Sequence, residues 1–475
     1  MLKFDRGRPI VINFNGKPVK AFETETVAAA LYASGVIKFG YSAERHRPRG
    51  PFCMIGKCSQ CLMRVNGYPH VRTCITPVED GMVVEYEEGH DAELPLPTKE
   101  MLVKREDLEY DAAIIGAGPA GLSAALEASG MGARVLVMDQ SPVPGGQLVK
   151  QTHKFFGTKE TFAGMRGFEI AKMLTDKLRD RENVDVMPST QVIGYFRREG
   201  SLAAFRTDGL GKYTLLRIRA KSIIVATGAM ERSLVFPGND LPGVMGAGAA
   251  QTLMNVFGIR PADEPLIIGA GNVGVIVAYQ AVQAGIKVKA VIDIAKKSAA
   301  YLVHSSKIRR MGIPILMRHT IREAYGKGRV EGATIYKVDD NFHPIKGSEV
   351  DIEVDGVWLA VGLTPSIEVL ELMEAGIKFV PELGGYVPLR HRNLETTVPG
   401  VFVAGDASCI EEASTAMMEG RVAGIAAAMK AGLGGDEHVK RMKEAIKWLD
   451  EFRSSPHYRR IREGLFKVTL EGGAS

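Results

Sequence analysis

Twice along the chain an apolar run stops at a glycine cluster and a helical period follows. Ala112-Ala113-Ile114-Ile115 enters Gly116-Ala117-Gly118-Pro119-Ala120-Gly121, and Pro265-Leu266-Ile267-Ile268 enters Gly269-Ala270-Gly271-Asn272-Val273-Gly274. A buried strand, a tight turn and a helix in that order are the mark of parallel α/β units. The first cluster predicts a helix over residues 122–129 and a strand over 134–138 that ends at Asp139; the second predicts a helix and a strand over 288–292 that ends at Asp293. Two more apolar runs close in small turns, one at Ala226-Thr227-Gly228 and one at Gly405-Asp406. Segments that belong with the first unit recur after about residue 355, so the second unit reads as an insertion into the first.

The N-terminal pattern differs. Alternating runs over residues 10–22 flank Asn15-Gly16, a hairpin signal. Residues 24–34 read as a helix with Thr24 as N-cap and Val27, Ala30 and Leu31 on its apolar face. A basic loop at 45–51 leads to a cysteine cluster, and Asn66-Gly67 predicts a second turn. These elements suit a small β-grasp domain, followed by a polar linker over 87–106 that holds Pro95 and Pro97. The tail over 437–466 is charged and helical in period, either a terminal helix pair or an interaction arm. The expected fold class is therefore α/β. A ferredoxin-like domain spans 1–95, a first nucleotide-binding domain 108–240 with 355–430, a second 241–354, and a helical tail 431–475.

Composition narrows the classes. A chain of 475 residues exceeds one core and fits about three domains. The net charge of +5 is spread over 60 Lys+Arg and 55 Asp+Glu with no long basic run, which argues against nucleic acid as a partner. The first 13 residues lack the apolar stretch of a secretion signal, and no run reaches the length of a membrane span. Four of the five cysteines fall between positions 53 and 74, which points to a reducing cytoplasm and a metal or cluster site rather than a disulfide framework.

Cys53, Cys58, Cys61 and Cys74 form C-x4-C-x2-C-x12-C, the plant-type spacing for a 2Fe–2S cluster. One loop wraps three thiolates around the cluster and a strand supplies the fourth. Structural zinc and unliganded core cysteines are the other readings; zinc favours paired short spacings, and no His completes a pair here. In the first glycine cluster, Gly116 permits the turn, Gly118 lets backbone approach a pyrophosphate at the helix N-terminus, and Gly121 allows close packing. Asp139 can accept ribose hydroxyls. Asp293 takes the same place in the second fold and favours NAD over NADP, with Lys296 and Lys297 beside it. A vestigial fold that no longer binds nicotinamide would carry the same motif.

Residues 110–430 resemble the two-dinucleotide-domain flavoproteins related to thioredoxin and NADH-dependent reductases, which are glutathione/thioredoxin reductase-like in fold. That resemblance places Pro144-Gly145-Gly146-Gln147 near a flavin and Asp406 at its ribityl chain and pyrophosphate. It implies a cofactor-binding set of Gly116, Gly118, Pro119, Ala120, Gly121, Asp139, Gln140, Gly146, Gln147, Ala226, Thr227, Gly228, Gly405 and Asp406, with Gly269, Gly271, Asn272, Val273, Gly274 and Asp293 in the second fold. The redox C-x-x-C of the disulfide reductases is absent; the corresponding stretch reads Leu241-Pro242-Gly243-Val244-Met245-Gly246-Ala247-Gly248. With Ala229-Met230-Glu231-Arg232 and Phe236-Pro237-Gly238-Asn239-Asp240, this stretch resembles a narrower group. Its members are the α or A subunits of opine oxidases, dye-linked L-proline dehydrogenases, hydrogen cyanide synthase and heterotetrameric sarcosine oxidase.

The resemblance implies an electron-transfer subunit that works beside a substrate-oxidising β-type flavoprotein subunit. Its groups would be FAD (or ATP or NAD) in the first site, a 2Fe–2S cluster, NAD(H) in the second site and FMN at a subunit interface. It implies a hetero-oligomer that delivers electrons to an acceptor. Many members carry a second cysteine-rich module near the C-terminus; here Cys409 alone remains there, and it reads as a packed thiol. No acid–base or nucleophile constellation is evident, so no catalytic residue is assigned, and His46 and His70 read as surface residues. A self-sufficient NAD(P)H:acceptor oxidoreductase and a non-catalytic nucleotide scaffold are the alternatives.

Overall fold

A computed structural model describes residues 5–42, 44–87, 104–154, 157–209 and 212–471. The chain divides into two units, residues 1–98 with 231–362 and residues 99–230 with 363–475.

In the first unit, the strands Pro9–Phe14 and Lys17–Phe22 pair around Asn15 and Gly16, whose φ values of 48° and 79° are those of a primed hairpin turn. Ile10, Ile12 and Phe14 point inward while Val11 is half exposed, the alternation the sequence displays. Pro9–Phe14 then pairs in parallel with Val83–Glu85, which joins it to Leu62–Val65 and Tyr68–Arg72 in a five-stranded sheet. The helix Val27–Ala33 packs its apolar residues inward. Its N-cap is Thr26, whose hydroxyl accepts from the Ala29 N–H at 3.4 Å, and not the expected Thr24. Thr24 instead donates to the carbonyl of Asp5 at 3.3 Å, which takes its hydroxyl away from the helix.

The same unit holds a five-stranded parallel sheet ordered Val244–Gly246, Gly356–Leu359, Pro265–Ile268, Ala290–Asp293 and Ile315–Met317. Trp358 sits fully buried in the second of these strands. A three-stranded antiparallel layer, His319–Tyr325, Gly332–Lys337 and Val350–Glu353, follows it. The β-grasp part is tied to this fold by bonds that include Tyr32, which donates its hydroxyl to the Pro261 carbonyl at 2.8 Å, and the Gly246 N–H, which donates to the Phe52 carbonyl at 2.9 Å.

The second unit is built on a seven-stranded sheet. Val184–Met187, Val135–Met138, Lys104–Ile115, Tyr213–Val225 and Val401–Val403 run parallel; Ser201–Thr207 and Thr190–Phe196 extend it antiparallel. The expected linker over 87–106 ends sooner than the sequence suggests, because Lys104–Ile115 is one strand of 12 residues; Pro95 and Pro97 lie outside the described residues. The charged tail forms the helices Asp436–Arg453 and Arg459–Phe466, and the first buries Met442, Ala445 and Leu449 in the unit's core. It is part of the fold, not a free arm.

The helices Pro119–Gly130 and Ala413–Lys430 cross in backbone contact. A Cβ on Gly420 would lie 2.1 Å from the Ala120 carbonyl oxygen, and one on Gly424 would lie 2.4 Å from that of Ala124. Neither neighbour is a flexible side chain, so even one methyl must part the helices. Gly424→Ala should destabilise the chain by about 2 kcal/mol. Gly40→Ala, with nothing within 4 Å of the new carbon and no left-handed φ, should stay within about 0.5 kcal/mol of the parent. Thermal midpoints of the two variants measure the difference, and equal midpoints would refute the contact.

Candidate functional site

The cysteine loop curls because Met54 and Gly56 adopt left-handed φ values of 53° and 74°. This brings Cys53, Cys58 and Cys61 round to face Cys74, with Cys58 half-buried and the other three buried. Backbone N–H groups point at sulfur: Gly56 donates to Cys74 Sγ at 3.2 Å and Cys58 to Cys53 Sγ at 3.4 Å. Hydrogen bonds from Cys58 and then Cys74 hold the Cys53 thiol far below its usual range, and one from Cys74 lowers Cys61; their partners Cys58 and Cys74 are pushed up. Four sulfurs and no nitrogen or carboxylate oxygen form the donor set. Among the described residues, the three-ligand group compact enough for a single ion is Cys409, Glu411 and Glu419, not these sulfurs. The cysteine set thus fits a cluster of more than one iron better than tetrahedral zinc.

Cys409, Glu411 and Glu419 are not an ion site either, because two guanidinium groups already occupy them. Arg453 reaches Glu419 at 2.7 Å and Glu411 at 3.0 Å, and Arg390 reaches Glu419 at 3.3 Å and Ser408 Oγ at 2.6 Å. Glu419 also accepts the Gly405 N–H at 3.0 Å, so this buried network fixes the Gly405–Asp406 turn. Burial pushes the Cys409 thiol up, in keeping with a packed thiol. Burial also raises the Asp406 carboxyl to about 7, a hydrogen bond from the Glu411 N–H opposes this, and Glu411 and Glu419 add to it.

The first glycine cluster lies at the C-terminal edge of the parallel sheet, where ligands of such folds sit. Gly116 has φ 108°, and a Cβ there would lie 2.3 Å from the Ala226 carbonyl oxygen; one on Gly121 would lie 1.9 Å from the Gly116 oxygen. Gly146 is seated against Gly118, and Gly405 against Ala120. Thr227 donates to the Ser366 carbonyl at 2.6 Å, and the Gly228 carbonyl accepts the Ser366 N–H at 2.9 Å. The segments 116–121, 145–147, 226–228 and 405–406 are therefore brought together. Gln140 is half-buried and Gln147 exposed beside them. Pro119 opens the helix, and Gly118 offers no side chain to cap it, so its N-terminal N–H groups are left for a ligand.

The second cluster repeats this geometry. Gly269 has φ 112° against the Ala360 carbonyl, and Gly274 packs on Gly269. Gly271 is the N-cap, Asn272 starts the helix and holds the Tyr301 N–H at 2.9 Å, and Val273 is exposed. The acids behave alike. Asp139 accepts from the Ala117 and Ser141 N–H groups at 2.7 and 2.8 Å, and Asp293 from those of Ala270 and Ala295 at 2.7 and 2.8 Å. Each acid first braces its glycine loop, and only the remaining lone pairs are left for ribose hydroxyls.

Sequence reasoning missed three groups. Arg390 and Glu419 carry no motif and are recognisable only by their burial. The third is Glu231, a buried carboxylate that accepts the Gly248 N–H at 2.6 Å and closes the N-terminus of the helix Ala247–Asn255. That helix start is where the expected dithiol is missing, and it holds an acid.

Comparison with known proteins agrees with this geometry. The profile of the pyridine nucleotide-disulphide oxidoreductases matches residues 110–420. The chain belongs to that family. A 2Fe–2S iron–sulfur cluster binding domain matches residues 7–89. The A subunit of opine oxidase from Agrobacterium tumefaciens (strain Ach5) is 30% identical over 67% of this chain and 65% of its own length. The alpha subunit of sarcosine oxidase from Rhizobium meliloti (strain 1021) is 28% identical over 76% of this chain and 40% of its own. The chain thus spans less than two thirds of these relatives. The crystal structure of L-proline dehydrogenase from P. horikoshii superposes with a TM-score of 0.71 at 24% identity, covering 93% of this chain and 78% of the other, a likeness of fold. The family resemblance and the α/β fold class read from the sequence are borne out. Family membership implies FAD, and the matched N-terminal domain implies a 2Fe–2S cluster; the glycine cradle and the sulfur-only donor set fit those groups.

Two outcomes test the site. Cys61→Ser should lose most of the iron bound per chain and its visible absorption, while Cys409→Ser keeps both; equal iron in the two variants would refute the assignment. In the nucleotide-free chain, Asp406 has a folded value of about 7 against an ordinary 3.8, so its stabilising share is complete below pH 3.8 and is lost as pH rises to about 7. The thermal midpoint of the parent minus that of Asp406→Asn should fall between pH 4 and 7 and level off above 8. A flat difference would contradict the burial argument.

Proposed function

We propose that this chain is the electron-transfer subunit of an amino or imino acid dehydrogenase or oxidase complex. The observation that carries this is the pairing of a sulfur-only four-cysteine site with a flavoprotein fold whose dithiol position is filled by Glu231 and the Gly246–Gly248 turn. A family member without the dithiol has no route to disulfide reduction, and a cluster site offers its electrons another exit. Bound flavin accepts electrons in pairs and gives them up singly, which matches a one-electron cluster. The names of the relatives support the donor class: subunits of an opine oxidase and of a sarcosine oxidase, with an L-proline dehydrogenase as fold neighbour. On this reading a separate β-type flavoprotein subunit takes hydride from the substrate's Cα–N unit, with FMN at the interface, and the complex is a cytoplasmic hetero-oligomer. All five cysteines are free, which suits a reducing compartment, and no helix among the described residues is long and apolar enough to cross a membrane.

The residues of this chain hold and orient. Gly116, Gly118 and Gly121 admit a pyrophosphate to the helix N-terminus, Asp139 fixes the loop, and the Arg390–Glu419 pair fixes Gly405 and Asp406 beside it. The division at residues 95, 240 and 355 is our working boundary set. The intact second glycine cluster favours one other reading, an NAD(P)H:acceptor oxidoreductase complete in itself.

Anaerobic addition of NADH to the purified chain separates the two. The electron-transfer reading expects no bleaching of the flavin and cluster bands by NADH, and bleaching by L-proline or a related amine once the co-purifying subunit is present. Full bleaching by NADH alone would establish the self-sufficient reductase in its place.

A further inference from the structure

Away from the cysteines and the glycine clusters, the first unit contains a cleft of about 530 Å3. One wall is the segment with Ile37, Lys38, Tyr41 and Pro48, and the other is the hairpin turn that carries Lys327 and Arg329. Among the described residues, three cations line this space and no carboxylate does. None of the three forms an ion pair with a described residue. Of the acids nearby, Asp240 pairs with Arg47 at 3.5 Å and Asp355 accepts the N–H groups of Asp263 and Glu264, while Glu331, whose side chain lies against Gly326, is not part of the lining.

Both walls are stiff. Lys38 is held by a hydrogen bond to the Tyr41 hydroxyl and lies 4.4 Å from the Tyr41 ring centre and 5.0 Å from that of Tyr86. Tyr86 in turn donates to the Lys38 carbonyl at 3.1 Å. Gly40 and Tyr41 pair with Arg49 and Pro48 in a short antiparallel ladder. Opposite, the turn folds so tightly that a Cβ on Gly326 would lie 2.0 Å from the Arg329 carbonyl oxygen, and the Val330 N–H anchors it to Pro242 at 2.9 Å. Backbone of this kind fixes the points from which the three charged side chains extend. Like charges held around one space repel one another, and an entering anion relieves that repulsion. A guanidinium fork and two ammonium groups suit phosphate or carboxylate oxygens, and the cleft has the size of a small-molecule site, roughly 300–1,000 Å3.

We infer that this cleft binds a small polyanion, a molecule with two or more phosphate or carboxylate groups. The site is separate from both nucleotide folds' glycine loops and does not depend on the electron-transfer reading.

Calorimetric titration of the full chain, with the cofactors it carries on purification, provides the test at low ionic strength. The probes are inorganic pyrophosphate and citrate. At least one should bind, with affinity at least tenfold weaker in Lys327→Gln/Arg329→Gln and roughly threefold weaker in Lys38→Gln. Arg322→Gln removes a cation outside the cleft and should leave the affinity unchanged. Lys327, Arg329 and Arg322 are exposed, so the ligand-free double variant and Arg322→Gln should match the parent in visible spectrum and thermal midpoint. Pyrophosphate binding alone assigns a phosphate ligand, and citrate binding alone a carboxylate ligand. Binding of neither probe, or binding that survives the double substitution as capture by a glycine loop would, overturns the inference.

Discussion

The closest approaches of backbone to backbone decide where everything else in this molecule can be. Gly116 and Gly121 let the helix Pro119–Gly130 start directly beneath the end of its strand, and Gly420 and Gly424 let a second helix lie against it with no side chain between. Three lines of chain thereby converge on one helix N-terminus. Any larger residue at these points would move the N-terminal N–H groups away from the turns at 145–147, 226–228 and 405–406. The hydrophobic core around them is rich in alanine for the same reason: small side chains fill the thin spaces that close backbones leave.

A second constraint is electrostatic. Arg390, Glu411, Glu419 and Arg453 are charged groups taken out of water together, an arrangement that contributes little net stability but is costly to break singly. Its structural effect is local. One oxygen of Glu419 holds the Gly405 N–H while the other faces the two arginines, so the turn that carries Asp406 is fixed from behind by a network set on three different segments.

Much of this was legible in the sequence, because the relevant signals were short in range. Both glycine clusters, the Asn15-Gly16 hairpin and the cysteine spacing each encode a turn within a few residues, and each is found where its pattern placed it. Thr24 was misread because two threonines lie next to the helix start, and the choice between them depends on Asp5, which is 19 residues away. Glu231, Arg390 and Glu419 were invisible for a similar reason. Their partners are 14 to 34 residues distant, and nothing in the local pattern shows that their charge is buried. The two acids at the strand ends were located, yet their first task was not foreseen, because backbone N–H groups leave no trace in a sequence.

The chain has two tryptophans, and the fold places one in each unit. Trp358 lies fully buried in an inner strand of the second nucleotide fold, its indole nitrogen without a partner among the described residues, while Trp448 is half-buried on the helix Asp436–Arg453 and stacked on Phe452 at 4.8 Å. Their surroundings differ in polarity, so their fluorescence differs in colour: blue from the first, redder from the second. The molecule thus carries one optical reporter for each half of its architecture, and melting of either half can be followed without adding a label.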